Sequence, residues 1–153
     1  MARILITGMS GTGKSTVLAE LARRGYRVVD TDYDGFSEEV DHGDGPQQLW
    51  VTKRIDALLA EPGTVVLAGC VSNQGEFYHR LDGVVLLSAP PDVLLDRLAR
   101  RGTNGFGKSP EDVMRILRDL EEAEPALRAT STIEIVTTAP VTEVVDAIEA
   151  LLA

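Results

Sequence analysis

Gly8-Met9-Ser10-Gly11-Thr12-Gly13-Lys14-Ser15 stands directly behind a short apolar run, Arg3-Ile4-Leu5-Ile6-Thr7, and opens a segment whose Val17, Leu18, Leu21 and Ala22 recur at helical spacing. The octet satisfies G-x-x-x-x-G-K-[ST] at every constrained position. Its glycines let the chain turn sharply and aim consecutive N–H groups into one concavity, and the following helix adds the positive end of its dipole. Such a turn suits the phosphates of ATP or a close relative, cradled by Gly8, Ser10, Gly11, Thr12, Gly13 and Thr16. Lys14 would bridge the outer phosphates, and the Ser15 hydroxyl would reach Mg²⁺. A chance glycine-rich turn is the competing reading. The strand before it and the helix after it argue against chance.

Outward from the loop, segments of strand character alternate with segments of helical character. Helix over 15–24 is stopped by Gly25, and 26–29 reads as a second strand ending in Asp30-Thr31-Asp32-Tyr33-Asp34. Gly35, Gly43, Gly45 and Pro46 predict an irregular or mobile segment over 35–46. A helix is expected over 47–60, closed by Pro62-Gly63, then buried strands over 64–68 and 83–88 of the continuous apolar kind found in parallel sheets. Pro90-Pro91 suit the first turn of a helix over 91–101. Ser109-Pro110-Glu111-Asp112 has the form of an N-cap opening a helix to about 123. A last strand over 133–136 and a last helix over 141–152 complete the chain. The expectation is one α/β domain over 1–153, a three-layer α/β/α sandwich on a five-stranded parallel sheet.

Composition narrows the function classes. The 153 residues suffice for a core without disulfides, and the single Cys70 permits no internal pairing, so a cytoplasmic protein is expected. The N-terminal stretch lacks the apolar core of a signal peptide, and no apolar run is long enough for a bilayer, so no membrane partner is expected. A formal charge of −9 argues against nucleic acid, whose backbone demands a basic face. The expected partners are a nucleotide and a small-molecule acceptor, on a monomer or homodimer.

Two classes of phosphate-loop protein fit poorly. Asp32-Tyr33-Asp34-Gly35 spells D-x-x-G, but very early, and no N-K-x-D sequence follows to read guanine. The strand Val65-Val66-Leu67-Ala68 runs into Gly69-Cys70 instead of the acidic pair with which an AAA-type hydrolase activates water. A small kinase remains. With its phosphate loop and the D-x-D at Asp30 and Asp32, the sequence resembles the nucleoside-monophosphate-kinase superfamily, and within it the shikimate and gluconate kinase group. The resemblance implies ATP as donor, Mg²⁺, and transfer of the γ-phosphate to a hydroxyl or phosphate acceptor. A nucleoside monophosphate kinase and a regulatory nucleotide-binding protein are the alternatives.

The same resemblance assigns residues. Asp30 would stand on the metal side, and Asp32 would orient and deprotonate the acceptor hydroxyl; a solvated acidic turn is the plainer reading. Arg54, in an acceptor region over 33–60, would hold a carboxylate or phosphate on the acceptor, although it reads equally as a surface arginine. Trp50 reads as core. Gly69, Ser72, Asn73 and Gln74 would face the acceptor, or merely cap a short helix. Shikimate kinases carry a glycine triplet here, and this chain does not. In Glu124-Pro125-Ala126-Leu127-Arg128 the arginine that they place before proline is replaced by Glu124. Both departures point away from shikimate itself. Cys70 reads as a buried thiol. Finally, Arg97, Arg101 and Lys108 surround a glycine-rich lid over 101–109, where Arg101 and Lys108 would neutralise the transferring phosphoryl and Arg97 would stack on adenine. A basic helix end favoured by the dipole is the alternative.

Overall fold

The computed structural model describes residues 2–43, 45–100 and 109–152. In chain order the elements are β1 (Arg3–Thr7), α1 (Lys14–Arg23), β2 (Val28–Asp30), β3 (Ser37–Asp41), β4 (Pro46–Trp50), α2 (Thr52–Ala60), β5 (Val65–Ala68), a 3₁₀ segment (Gln74–Arg80), β6 (Gly83–Ser88), α3 (Pro91–Ala99), α4 (Pro110–Glu122), α5 (Glu124–Thr130), β7 (Ile133–Val136) and α6 (Val141–Leu152). Local signals set several boundaries. Gly25 adopts φ 96°, so its N–H reaches Ala22 O while the N–H of Tyr26 reaches Leu21 O, which closes α1 in a Schellman motif. Ser109 accepts the N–H of Asp112 at 3.1 Å and opens α4 as expected.

Five strands form one parallel sheet in the order β2-β5-β1-β6-β7. Alternation along each strand sorts the core into two layers. Ile4, Ile6, Val66, Ala68, Val85 and Leu87 meet Val17, Leu18 and Leu21 of α1 and Val144, Val145 and Ile148 of α6. Leu5, Val65, Leu67 and Val84 meet Trp50, the α2 residues Ile55, Leu58 and Leu59, and Phe77. The three-layer α/β sandwich is therefore the observed architecture. β1 lies at the centre, and the chain leaves it first for one side of the sheet and later for the other. The crevice at its carboxyl end is where open α/β sheets place ligands.

Residues 35–50 depart from expectation. Ser37–Asp41 and Pro46–Trp50 pair antiparallel as a separate hairpin, with Gly43 and Gly45 at positive φ in its turn. The helix expected over 47–60 thus begins only at Thr52, and Trp50 ends a strand. Helical spacing over 47–60 is a local signal, whereas the pairing of Trp50 with Ser37 is non-local and overrides it. α5 lies beyond the helix expected to end at about 123, and Pro125 occupies its first turn.

Candidate active site

The phosphate loop is held shut by its own backbone contacts. Gly8 has φ 149°, and a Cβ there would lie 2.4 Å from Leu87 O, so β6 itself forbids a side chain. The Thr12 hydroxyl is fully buried and donates to Met9 O at 2.8 Å. Lys14 Nζ donates to Gly8 O at 2.6 Å and Met9 O at 3.1 Å, which lays its ammonium across the loop. Ser10, Ser15 and Thr16 are exposed at the mouth, and the Gly13 carbonyl accepts the first helical N–H, from Val17. Gly11 packs against Leu98 and Leu94 of α3.

Beside the loop, β2 ends at Asp30, in register with Ala68. Thr31 donates both its N–H and its hydroxyl to Ala68 O, at 2.9 and 2.8 Å. The N–H of Asp32 donates to Asp30 Oδ1 at 3.1 Å, so one acid orients the backbone of the other. Asp32 is exposed to solvent. Burial by surrounding protein raises its pKa above the ordinary aspartate range, the Asp30 charge raises it further, and Lys14 opposes both. The opposition of Lys14 ties the acid pair electrostatically to the phosphate loop.

Arg54 is exposed and turned toward the connection after the acid pair. Its Nη2 donates to Asp34 O at 2.9 Å, and its guanidinium lies 5.0 Å from the Phe36 ring centroid. It fastens a turn in which Asp34 and Gly35 take φ 61° and 81°. Trp50 is core, as expected: it is 2% exposed, stands edge-on to Phe77 and donates its indole N–H to Thr31 Oγ1 at 2.9 Å.

The segment after β5 is framed by its own amides. Asn73 Oδ1 accepts the N–H of Trp50 at 2.8 Å and Asn73 Nδ2 donates to Trp50 O at 3.1 Å. Buried Gln74 accepts the N–H of Val71 and donates to Thr7 Oγ1 and the Tyr78 hydroxyl. Both side chains are thereby committed to the framework. Gly69 is buried, and a Cβ there would lie 2.2 Å from Thr31 Oγ1. Only Ser72 and Cys70 face solvent, so the thiol expected to be buried is exposed. Thr31 was missed in the sequence because a threonine between two aspartates carries no signal of its own.

Two cavities border these elements. One of about 240 Å³ lies between the loop residues Thr12, Gly13 and Thr16 and the β7–α6 connection at Thr137 and Ala139. Arg97 lines it and spans it: Nη1 donates to Gly11 O and Thr137 Oγ1, both at 3.0 Å, and Nη2 donates to Thr137 O at 2.7 Å. Thr137 was not foreseen. The second, about 300 Å³, opens between Gln48 of β4, Cys70 to Ser72, and Ala123, Ala126 and Leu127 at the α4–α5 junction. Nearby, Glu124 is buried, with Oε1 accepting from Arg128 and Oε2 without a partner among the described residues. Arg128 also donates to Glu134, whose carboxyl is held below the usual range by that guanidinium and by Ser88. Arg101 and Lys108 lie outside the described residues. Among the described residues no group of three or more His, Cys, Asp or Glu could hold a metal ion, and no helix is long and apolar enough to cross a membrane.

The chain resembles several solved structures along nearly its whole length. Shikimate kinase from Acinetobacter baumannii in complex with shikimate superposes with a TM-score of 0.70 at 19% identity, covering 99% of this chain and 93% of that one. A gluconokinase from Sinorhizobium meliloti 1021 gives 0.64 at 20% identity, covering 99% and 91%. The TT1252 protein of Thermus thermophilus gives 0.65 at 24% identity, covering 99% and 98%. At such identities the likeness establishes the fold. No curated protein matches the chain. A family model described as an AAA domain matches residues 4–123, which takes in the phosphate loop, the acid pair and the segment after β5. The chain therefore shares a family with AAA domains while carrying Gly69-Cys70 after β5 in place of an acidic pair. By that match the chain belongs to the AAA-domain family of P-loop proteins.

Proposed function

We propose that the protein is a phosphotransferase that moves the γ-phosphate of ATP to a small-molecule acceptor, with a hydroxyl as the favoured receiving group. The observation that carries this reading is the placement of Asp32. A carboxylate of raised pKa stands beside the phosphate loop, coupled to Lys14 and oriented through Asp30. A general base is most effective when its pKa approaches the working pH. The family match and the likeness to proteins titled as shikimate kinase, gluconokinase and sugar kinase support the same reading.

In this mechanism the loop N–H groups and Lys14 hold the phosphates, the ammonium exchanging its present carbonyl partners for phosphate oxygens. Ser15 and Asp30 offer an exposed hydroxyl and a carboxylate, hard oxygen donors that fit Mg²⁺. The ion would neutralise charge on the bridging phosphate oxygens. Asp32 orients the acceptor hydroxyl and takes its proton as the oxygen attacks. Arg97 braces the nucleotide cavity from the side of α3 and offers its guanidinium face to the base. Arg101 and Lys108 belong to this proposal as the cations that meet the transferring phosphoryl. No carboxylate pair follows β5 to activate water, which favours transfer over hydrolysis.

Incubation with Mg-ATP and panels of hydroxylated metabolites, sugars and nucleoside monophosphates tests the proposal. Acceptor-dependent ADP formation supports it, and stimulation by a nucleoside monophosphate alone would move the protein to that kinase class. Tight ATP binding without acceptor-stimulated turnover would overturn it and leave a regulatory nucleotide-binding role.

A further inference from the structure

We infer that the acceptor is an uncharged hydroxyl compound with an apolar face, such as a cyclic alcohol or polyol, seated in the 300 Å³ cavity between β4, the segment after β5 and the α4–α5 junction. The inference rests on the phosphotransferase reading and gives its acceptor a chemical class.

The position of the cavity follows from contacts already described. Cys70 on its rim follows Gly69, which abuts Thr31, and Thr31 lies between Asp30 and Asp32. Gln48 on the opposite rim lies two residues before Trp50, whose indole donates to the same Thr31 hydroxyl. The cavity is thus bordered by two segments, the end of β4 and the residues after β5, that both bond or abut the threonine between the two acids. Its size lies near the lower end for small-molecule sites, which suits a compact acceptor.

Its described lining favours an uncharged occupant. No lysine, arginine or histidine is among the described residues that line it. The polar groups are Gln48, Ser72 and Cys70, and the rest of the lining is Val71, Ala123, Ala126 and Leu127. Neither arginine on the adjoining elements, Arg54 or Arg128, is among the described residues that line the cavity. Arg54 grips the 34–36 turn, and Arg128 is shared between Glu124 and Glu134. Glu39 lies opposite Gln48 in the hairpin and is exposed. A carboxylate or phosphate entering here would lose hydration without gaining a cation from the described lining. A hydroxylated ring loses little, since its hydroxyls can bond Gln48 and Ser72 while its carbon face lies on Leu127 and the alanines.

The test compares three acceptor panels of matched size at equal concentration with Mg-ATP: uncharged cyclic alcohols and polyols, hydroxy acids, and phosphorylated alcohols. ADP formation is the readout, with thermal shift in a non-hydrolysable ATP analogue as the binding measure. Stimulation from the uncharged panel is expected. The cavity-filling variant Ala126→Phe should then raise the acceptor KM about tenfold or more while the ATP KM stays within about twofold. Its melting curve confirms that it is folded, and Ala126→Val provides a milder second variant. Stimulation confined to the hydroxy acids or phosphorylated alcohols overturns the inference while leaving the phosphotransferase standing. An unchanged acceptor KM in both folded variants overturns it as well, because the acceptor then binds elsewhere. Absence of stimulation by every panel, with ATP still bound, sinks the phosphotransferase reading itself.

Discussion

A side chain at position 69 should be excluded by one oxygen atom, Thr31 Oγ1. A Cβ built on Gly69 lies 2.2 Å from that oxygen, far inside contact distance, while Trp50 Nε1 and Thr31 Cβ stand at an ordinary 3.5 and 3.6 Å. The hydroxyl cannot step aside freely. It donates to Ala68 O at 2.8 Å and accepts the Trp50 indole N–H at 2.9 Å, and Thr31 is fully buried. Gly69→Ala therefore must either strain the junction or rotate the hydroxyl away and orphan the indole N–H. Either route costs about 2–4 kcal/mol. Thr31→Ala removes the same hydroxyl outright. Ala68 O keeps the Thr31 N–H at 2.9 Å, so the loss is chiefly the stranded indole and a small void, about 2–3 kcal/mol.

In the double variant the clash has no partner, and the new methyl group partly fills the void. Its cost should be near that of Thr31→Ala alone, which gives a coupling of about 2 kcal/mol or more in favour of the double variant. Urea unfolding followed by fluorescence measures all four corners of the cycle, and Trp50 is the sole tryptophan, so the probe sits at the perturbed site. Additivity within about 0.5 kcal/mol would refute the reasoning, because Oγ1 would then not be what keeps residue 69 bare. The cycle also separates two roles for Gly69. If the double variant regains stability yet still fails to turn over acceptor, the glycine has a part in binding beyond fitting against Thr31.

Three further outcomes are expected. Asp32→Asn should lower acceptor-dependent transfer by about 10²–10⁴-fold while ATP affinity holds within about twofold; parallel loss of both would show that Asp32 serves binding instead. The raised pKa of Asp32 means that the protonated, inactive form persists above the ordinary aspartate range, so kcat/KM should climb with pH through that raised value. Asp30→Asn removes a charge that raises it, and an NMR titration of the ligand-free protein should find the Asp32 pKa lower; an unchanged or higher value contradicts the pairing. Arg97→Ala breaks three bonds that join the phosphate loop to the β7–α6 connection, so nucleotide affinity by calorimetry should fall about tenfold or more, with Arg97→Lys recovering less than half in free energy because one ammonium cannot reproduce the planar fork. Full recovery by lysine would reduce Arg97 to a point charge.

The parts legible in the sequence are those whose cause is local. The phosphate loop needs glycines, a lysine and a following helix within a few residues, and all of them are adjacent in the chain. Strands β1, β5 and β6 declare themselves by composition, being apolar on both faces. The 35–50 segment was not legible because its hairpin is decided by pairing across a turn, and Gly43 and Gly45, read as part of an irregular or mobile segment, lie in that turn.

The residues after β5 show a subtler limit. Asn73 and Gln74 are polar, stand beyond a strand's carboxyl end and so read as ligand contacts, yet each is matched to a buried backbone donor, on Trp50 and Val71. A sequence names side-chain amides but gives no sign of which backbone groups elsewhere lack partners, and the folded chain satisfies those first. This commitment bears on function. A loop braced by two amides has no need to wrap an anion for its own stability, and it presents Cys70, Val71 and Ser72 to the cavity already fixed in place. Where the resemblance to shikimate kinases would place a glycine triplet, this chain has Cys70, Val71 and Ser72 across a cavity from Ala126 and Leu127. The selectivity proposed for this cavity would come from its shape and from the lack of a cation among its described lining residues, and neither property is written in any single residue.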